Sequence, residues 1–211
     1  MAKFSFGIAA LAIAAAATAA SAQIRITEWM YTPVSGQGEF IELTNIGASP
    51  IDMNGWSFDD DSRLPGVLNL SAFGVVAPGE SVIITDATAS AFRTTWSLPA
   101  SVKVIGGNTA NIGRNDEINI FNGVTLVDRL TYGDESFVGT IRTSGRSGNT
   151  LPANLGLNTV SAWTISSVGD IYGSVTSTTG GNVGNPGRYI PTPGAAALLG
   201  LGALAAGRRR R

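Results

Sequence analysis

Between Glu39 and Phe58 the chain reads EFIELTNIGASPIDMNGWSF, and this stretch constrains the fold more than any other. Two apolar-alternating segments, Phe40 to Asn45 and Ile51 to Phe58, flank a turn written with Asn45, Gly47, Ser49 and Pro50, residues that end a ladder rather than extend it. The spacing predicts two neighbouring strands. In the first, Ile41 and Leu43 share one face while Phe40, Glu42 and Thr44 share the other, as a period of two requires. In the second, Gly55 before Trp56 marks a bulge or a close approach of another backbone.

The same alternation recurs along the body. Ile24, Ile26 and Trp29 open it as a strand with Arg25 and Thr27 facing out, ending before a turn over Pro33 to Gly38. Val67 to Leu70 reads as a short strand, Ala77-Pro78-Gly79-Glu80 as a turn, and Ser81 to Thr85 as a strand covered on both sides, because Val82, Ile83 and Ile84 are consecutive. From Ala87 to Leu98 the alternation lapses, and Ala89, Phe92 and Trp96 fall at helical spacing, which predicts one short helix or 3₁₀ segment. Lys103 to Ile105 is an edge strand, and Ile118 to Phe121 and Thr125 to Tyr132 form a hairpin about Asn122-Gly123.

These residues resemble the lamin tail domain family. The resemblance rests on aromatic-Ile-Glu-Leu-x-Asn at Phe40 to Asn45, Ile-Asp-Met-x-Gly-Trp-x-Phe-Asp-Asp at Ile51 to Asp60, Glu28 in the opening strand, the Pro78-Gly79 turn, and Asp128 before the last apolar run. It covers Ile24 to Gly133 and implies an all-β fold, an immunoglobulin-like β-sandwich, over residues 23–133. Residues 134–190, rich in Gly, Ser, Thr and Asn, read as an extension partly packed on that domain. Within it Trp163 and Ile165 alternate as a further strand, Val175 to Gly181 reads as a flexible spacer, and Asn185-Pro186-Gly187 resembles a closing turn of bacterial members.

Both ends read as export signals. Residues 1–22 hold Lys3, an apolar run from Phe6 through Ala17, and Ala20-Ser21-Ala22 as a small-residue cleavage site, the pattern of a secretory signal helix cut by signal peptidase. Residues 191–211 hold Pro191-Thr192-Pro193, the apolar segment Ala195 to Gly207, and Arg208, Arg209, Arg210 and Arg211. That segment is shorter than the roughly 20 residues of a stable span, so a short transmembrane helix held briefly is expected. Arginines collect on the cytoplasmic side, which places the body outside. The tripartite end resembles the PEP-CTERM sorting signal of bacteria, which an exosortase processes. One departure is Thr192, where the family's usual residue is Glu. The expected location is therefore extracellular or the cell envelope, after transient anchoring in the cytoplasmic membrane.

The chain has no cysteine and no histidine, which removes Ser-His-Asp and Cys-His nucleophile systems, thiolate and imidazole metal sites, and disulfides. Apart from Lys3 and the terminal arginines, nine basic residues spread singly through the body face fifteen acidic ones, so no nucleic-acid footprint is expected. Asp59, Asp60 and Asp61 are the one dense carboxylate cluster and the weak candidate for a calcium site. With Arg63 close by to neutralise it, a solvated turn explains the run without a metal. Glu28 and Glu42 on adjacent strands would suit glycoside hydrolysis if they lined a cleft; otherwise they accept hydrogen bonds from a turn or pair with an arginine. Trp29, Trp56, Trp96 and Trp163 read as core and edge packing, with at least one expected to be exposed; two exposed on one face would make a sugar platform. The expectation is a non-enzymatic module without cofactor, whose partners are surface proteins or polysaccharide. The alternatives are an accessory of a secreted hydrolase or nuclease, or a calcium-dependent adhesin.

Overall fold

The structure, a computed structural model, describes residues 23–132 and 144–190. The strands in chain order are β1 (Ile24–Met30), β2 (Phe40–Asn45), β3 (Ile51–Asp52), β4 (Trp56–Asp59), β5 (Leu68–Asn69), β6 (Val75–Val76) and β7 (Ser81–Thr85). Helix α1 (Ala89–Trp96) follows, then β8 (Lys103–Ile105), β9 (Asp116–Asn122), β10 (Thr125–Tyr132), β11 (Gly148–Thr150), β12 (Trp163–Ile165), β13 (Val175–Thr176) and β14 (Val183–Gly184). One sheet runs β12-β11-β1-β2-β7-β8, and a second runs β10-β9-β4-β5. The inner residues of both form the main core, with Ile26, Trp29, Ile41, Leu43, Val82 and Ile84 from the larger sheet meeting Phe58, Ile118, Ile120 and Leu130 from the smaller. At about 1.5 to 3 kcal/mol per fully buried large apolar side chain, this sandwich core outweighs any single polar contact in the molecule.

The larger sheet is covered on its other face too. Phe40 and Ile83, pointing away from the main core, join Met30 in a second apolar cluster under Phe92 and Trp96 of α1. The helix starts where Thr88 Oγ1 accepts the Ala91 N–H at 3.2 Å and ends at Ser97, in the left-handed region at φ +53°. Beside this patch the outer face turns polar at Thr27, Glu42, Thr44 and Ser81, linked by hydrogen bonds. A bulge between Ile26 and Glu28 gives β1 its extra residue and brings Glu28 opposite Glu42.

Two expectations are corrected here. The segment Ile51 to Phe58 is not one strand beside β2; it breaks at a turn with Gly55 at φ +79°. Its first part pairs with β6 and its second crosses to the smaller sheet between β9 and β5. The cause is local, since Asp52 Oδ1 accepts the Asn54 N–H at 3.0 Å and bends the chain before Trp56. The hairpin turn is also one residue further on: Asn122 pairs with Thr125, so the loop is Gly123-Val124, with Gly123 at φ +57°.

The segment 144–190 is built into the fold. β11 and β12 extend the larger sheet past β1. Val175 to Gly181, expected as a spacer, instead begins with β13, paired to β14, and Thr178 satisfies the end of α1, its N–H donating to the Thr95 carbonyl at 2.8 Å and its hydroxyl to the Thr94 carbonyl at 3.0 Å. The Gly, Ser and Thr content that mimics a linker is here a set of small hydrogen-bonding groups. Among the described residues no helix is long and apolar enough to cross a membrane. The expected signal helix and C-terminal helix lie outside the described residues.

A chain ending at Tyr132 leaves β1 with an open edge and the polar part of its sheet's outer face, around Glu28 and Glu42, uncovered. It is expected to lose the cooperative thermal transition of the full chain in circular dichroism; a midpoint within about 5 °C of the full chain contradicts this.

Candidate functional site

Glu28 and Glu42 face each other across β1 and β2, and neither is accessible to solvent. Each is occupied by the chain's own donors. Glu28 Oε1 accepts from the Ser147 hydroxyl and from the Asn185 N–H, the latter at 2.8 Å. Glu42 Oε1 accepts the Thr27 hydroxyl at 2.5 Å, while its Oε2 accepts the Gly187 N–H at 2.7 Å and the Arg188 N–H at 3.2 Å. The pair therefore holds the turn Asn185 to Arg188 against the sheet.

Around them lies a closed polar layer. Ser147 and Ser166 share a hydrogen bond at 2.6 Å, and Asn149 Nδ2 donates to Ser166 Oγ at 2.9 Å and to Asn185 Oδ1 at 2.8 Å. Gly184 leaves the necessary room: a Cβ there would sit 2.7 Å from Glu28 Oε1 and 2.8 Å from Ser147 Oγ. Burial raises the pKa of Glu28 well above its ordinary value, and the neighbouring Glu42 adds to it. Burial raises Glu42 as well, against the hydrogen bonds that favour its charged form. Glu28 Oε2 has no hydrogen-bond partner, so all of the donors that reach this carboxyl reach it through Oε1. A third acid, Glu39, accepts the Ile112 N–H at 2.8 Å, and burial pushes it up to about 8.

These groups are closed to substrate. Glycoside hydrolysis requires two carboxyls flanking an open cleft, and Glu28 and Glu42 flank backbone instead. The sequence singled out both acids and the Asn185 turn, but it carried no sign of Ser147, Asn149 or Ser166, which sit in an unremarkable polar stretch.

The aspartate run does not converge on an ion. Asp59 is buried, its Oδ1 accepting the Ser62 hydroxyl at 2.7 Å and its Oδ2 the Leu64 N–H at 3.2 Å, whereas Asp61 is exposed. Among the described residues no three acidic side chains are grouped to hold a metal. Arg63, expected to neutralise this run, forks instead onto Glu117, with Nε 2.8 Å from Oε2 and Nη2 on Oε1. That fork holds Glu117 down at about 2.

All four tryptophans are buried, the most exposed being Trp163 at 7 %, so the expected exposed indole and the two-ring sugar platform are absent. A groove of about 380 Å³ opens beside α1, walled by Trp96, Leu98, Pro99, Val102, Val175 and Pro186, with Arg188 on its rim. It has no acidic side chain in its lining. The sequence-marked processing residues Ala20, Ala22, Pro191, Thr192, Pro193 and Arg208 to Arg211 lie outside the described residues.

The titrations oppose one another. Glu42 and Glu39 hold protons in the folded state that the unfolded chain releases near pH 4.5, so their contribution is full in acid and is lost as pH rises through about 7 and about 8 respectively, and Glu28, raised by burial, acts in the same direction. Glu117 acts the other way, its contribution present above its unfolded value and lost as pH falls towards about 2. The thermal midpoint is therefore expected to peak in mild acid and to fall between about pH 5 and pH 8. Glu42→Gln should flatten that fall, and an unchanged slope in this variant contradicts the assignment. Glu42→Ala should cost about 3 kcal/mol by denaturant melting, because the Gly187 and Arg188 N–H groups lose their acceptor.

No curated protein and no solved structure matches the chain. The lamin tail domain model matches residues 17–134. That span is more than half of the 211 residues. It takes in Glu28, Glu42, Asn45, Trp56 and Asp128. Asn45 Nδ2 donates to the carbonyls of Ser49 at 2.8 Å and Val76 at 3.0 Å, and Asp128 Oδ2 accepts the Ile26 N–H at 2.9 Å, joining the two sheets. By this match, carried on a two-sheet sandwich, the chain belongs to the lamin tail domain family.

Proposed function

We propose that this protein is an exported, non-enzymatic binding or structural module, an immunoglobulin-like sandwich left on a bacterial envelope or in the surrounding matrix. The observation that carries the non-enzymatic part is the occupation of Glu28 and Glu42 by the Asn185 to Arg188 turn, which leaves the paired acids no access to a substrate bond. The absence of histidine and cysteine from the chain removes the commonest other nucleophiles and bases.

Export rests on the two ends. Lys3, the apolar run and Ala20-Ser21-Ala22 suit signal peptidase, and Pro191 to Arg211 suits a PEP-CTERM-like signal handled by an exosortase-type enzyme. The C-terminal apolar segment makes membrane contact transient. Partners are surface proteins or polysaccharide, and the net acidic body disfavours nucleic acid.

Intact-mass analysis of the protein secreted by an exosortase-bearing host is expected to show a chain beginning at Gln23 and lacking the terminal arginines. A retained arginine tail overturns the sorting reading. The purified body is expected to cleave neither polysaccharide nor nucleic acid; cleavage that disappears in Glu42→Gln overturns the non-enzymatic one.

A further inference from the structure

The dipeptide Asn-Gly occurs twice, at Asn54-Gly55 and at Asn122-Gly123, and the fold sets the two side by side. The Gly123 N–H donates to the Gly55 carbonyl at 3.0 Å, and Asn122 pairs with Trp56 across β9 and β4. With no Cβ on the following residue, the backbone nitrogen of such a pair is open to bonding with the asparagine side-chain carbon.

The two copies differ in what surrounds the reacting atoms. Asn122 is the last residue of β9, paired to Trp56 on one side and Thr125 on the other. An extended, paired strand projects its side chain away from the following peptide, and the Gly123 N–H is already held by the Gly55 carbonyl. Both copies are exposed and neither glycine is crowded where a Cβ would stand, so the difference lies in pairing: Asn54 sits in the turn between β3 and β4, outside either strand. Ser71 spans its two reacting groups: Oγ accepts the Gly55 N–H at 3.2 Å and donates to Asn54 Oδ1 at 3.5 Å. Asn69 Oδ1 fixes Ser71 in turn, accepting its N–H at 2.7 Å. A hydroxyl can accept one proton while giving up another.

We propose that Asn54-Gly55 is a self-modifying site, cyclising to a succinimide with Ser71 as proton relay, and that Asn122-Gly123 is protected by the fold. The Gly55 nitrogen passes its proton to Ser71 Oγ as it bonds to Asn54 Cγ, and Ser71 passes its own proton to Oδ1. When the tetrahedral carbon collapses, the C–Nδ2 bond breaks, the carbonyl re-forms, and the amide nitrogen departs with that proton as ammonia. One water then opens the ring at either carbonyl, leaving an aspartyl or isoaspartyl linkage at position 54. Water enters and ammonia leaves, with no change in oxidation state. The product places a second carboxylate two residues from Asp52, at the bend where the chain passes from one pairing to the other.

The test is peptide mapping by mass spectrometry of the full chain held folded in mildly alkaline buffer, beside a denatured sample. Conversion of the amide to acid is expected at position 54 well ahead of position 122 in the folded protein, and at similar rates once denatured. Ser71→Ala should slow position 54 about tenfold without changing position 122, and Ser71→Thr, which keeps the hydroxyl, should restore it. Equal folded-state rates at the two positions, or a faster position 122, overturn the site. An unaltered rate at position 54 in folded Ser71→Ala, or a slow rate in Ser71→Thr, overturns the relay.

Discussion

A carboxyl withdrawn from water has to find donors or keep its proton, and Glu28 and Glu42 do some of each. They stand opposite one another in the middle of the larger sheet, where a charge is hardest to solvate. Their donors come from far along the chain, Asn185 lying 157 residues from Glu28 and Gly187 lying 145 from Glu42. The arrangement of the last third of the molecule follows from that requirement. The Asn185 turn is pinned to the acids, Gly184 is small because a carboxylate occupies the space beside it, and Ser147, Asn149 and Ser166 complete the layer.

The larger sheet thus has two kinds of cover on one face. Over Met30, Phe40 and Ile83 it is apolar, supplied by α1; over Thr27, Glu42, Thr44 and Ser81 it is polar, supplied by the returning chain. Thr178 ties the two covers together at the end of α1. An apolar cover depends mainly on area, whereas a polar one depends on each donor meeting its acceptor. The returning segment is accordingly intolerant of small geometric changes although it buries few large side chains.

This difference explains what could be read from the chain beforehand. Apolar alternation identifies β2 residue by residue, the consecutive run Val82 to Ile84 identifies β7 and signals cover on both faces, and the helix stands out where alternation lapses. Periodicity reports which way a side chain points but not which sheet receives the strand, so the crossing at Gly55 was not legible. Glu28 and Glu42 were visible as acids among apolar neighbours. Their donors were not, because a serine or asparagine that serves a buried carboxyl has the same composition as one in a linker. A spacer at Val175 to Gly181 is the reading that this ambiguity produces, and the one exposed tryptophan expected among the four is instead buried by cover that composition does not reveal.

The position of β1 also orders events in time. It is among the earliest described strands to be synthesised, yet one flank is completed by β2 close behind it and the other only by β11, beside Ser147, which meets Glu28 across 119 residues. A ribosome-bound chain therefore exposes an unpaired ladder for most of its elongation, and closure waits on the final third. Closure of this sandwich therefore waits until the strand beside Ser147 has been made.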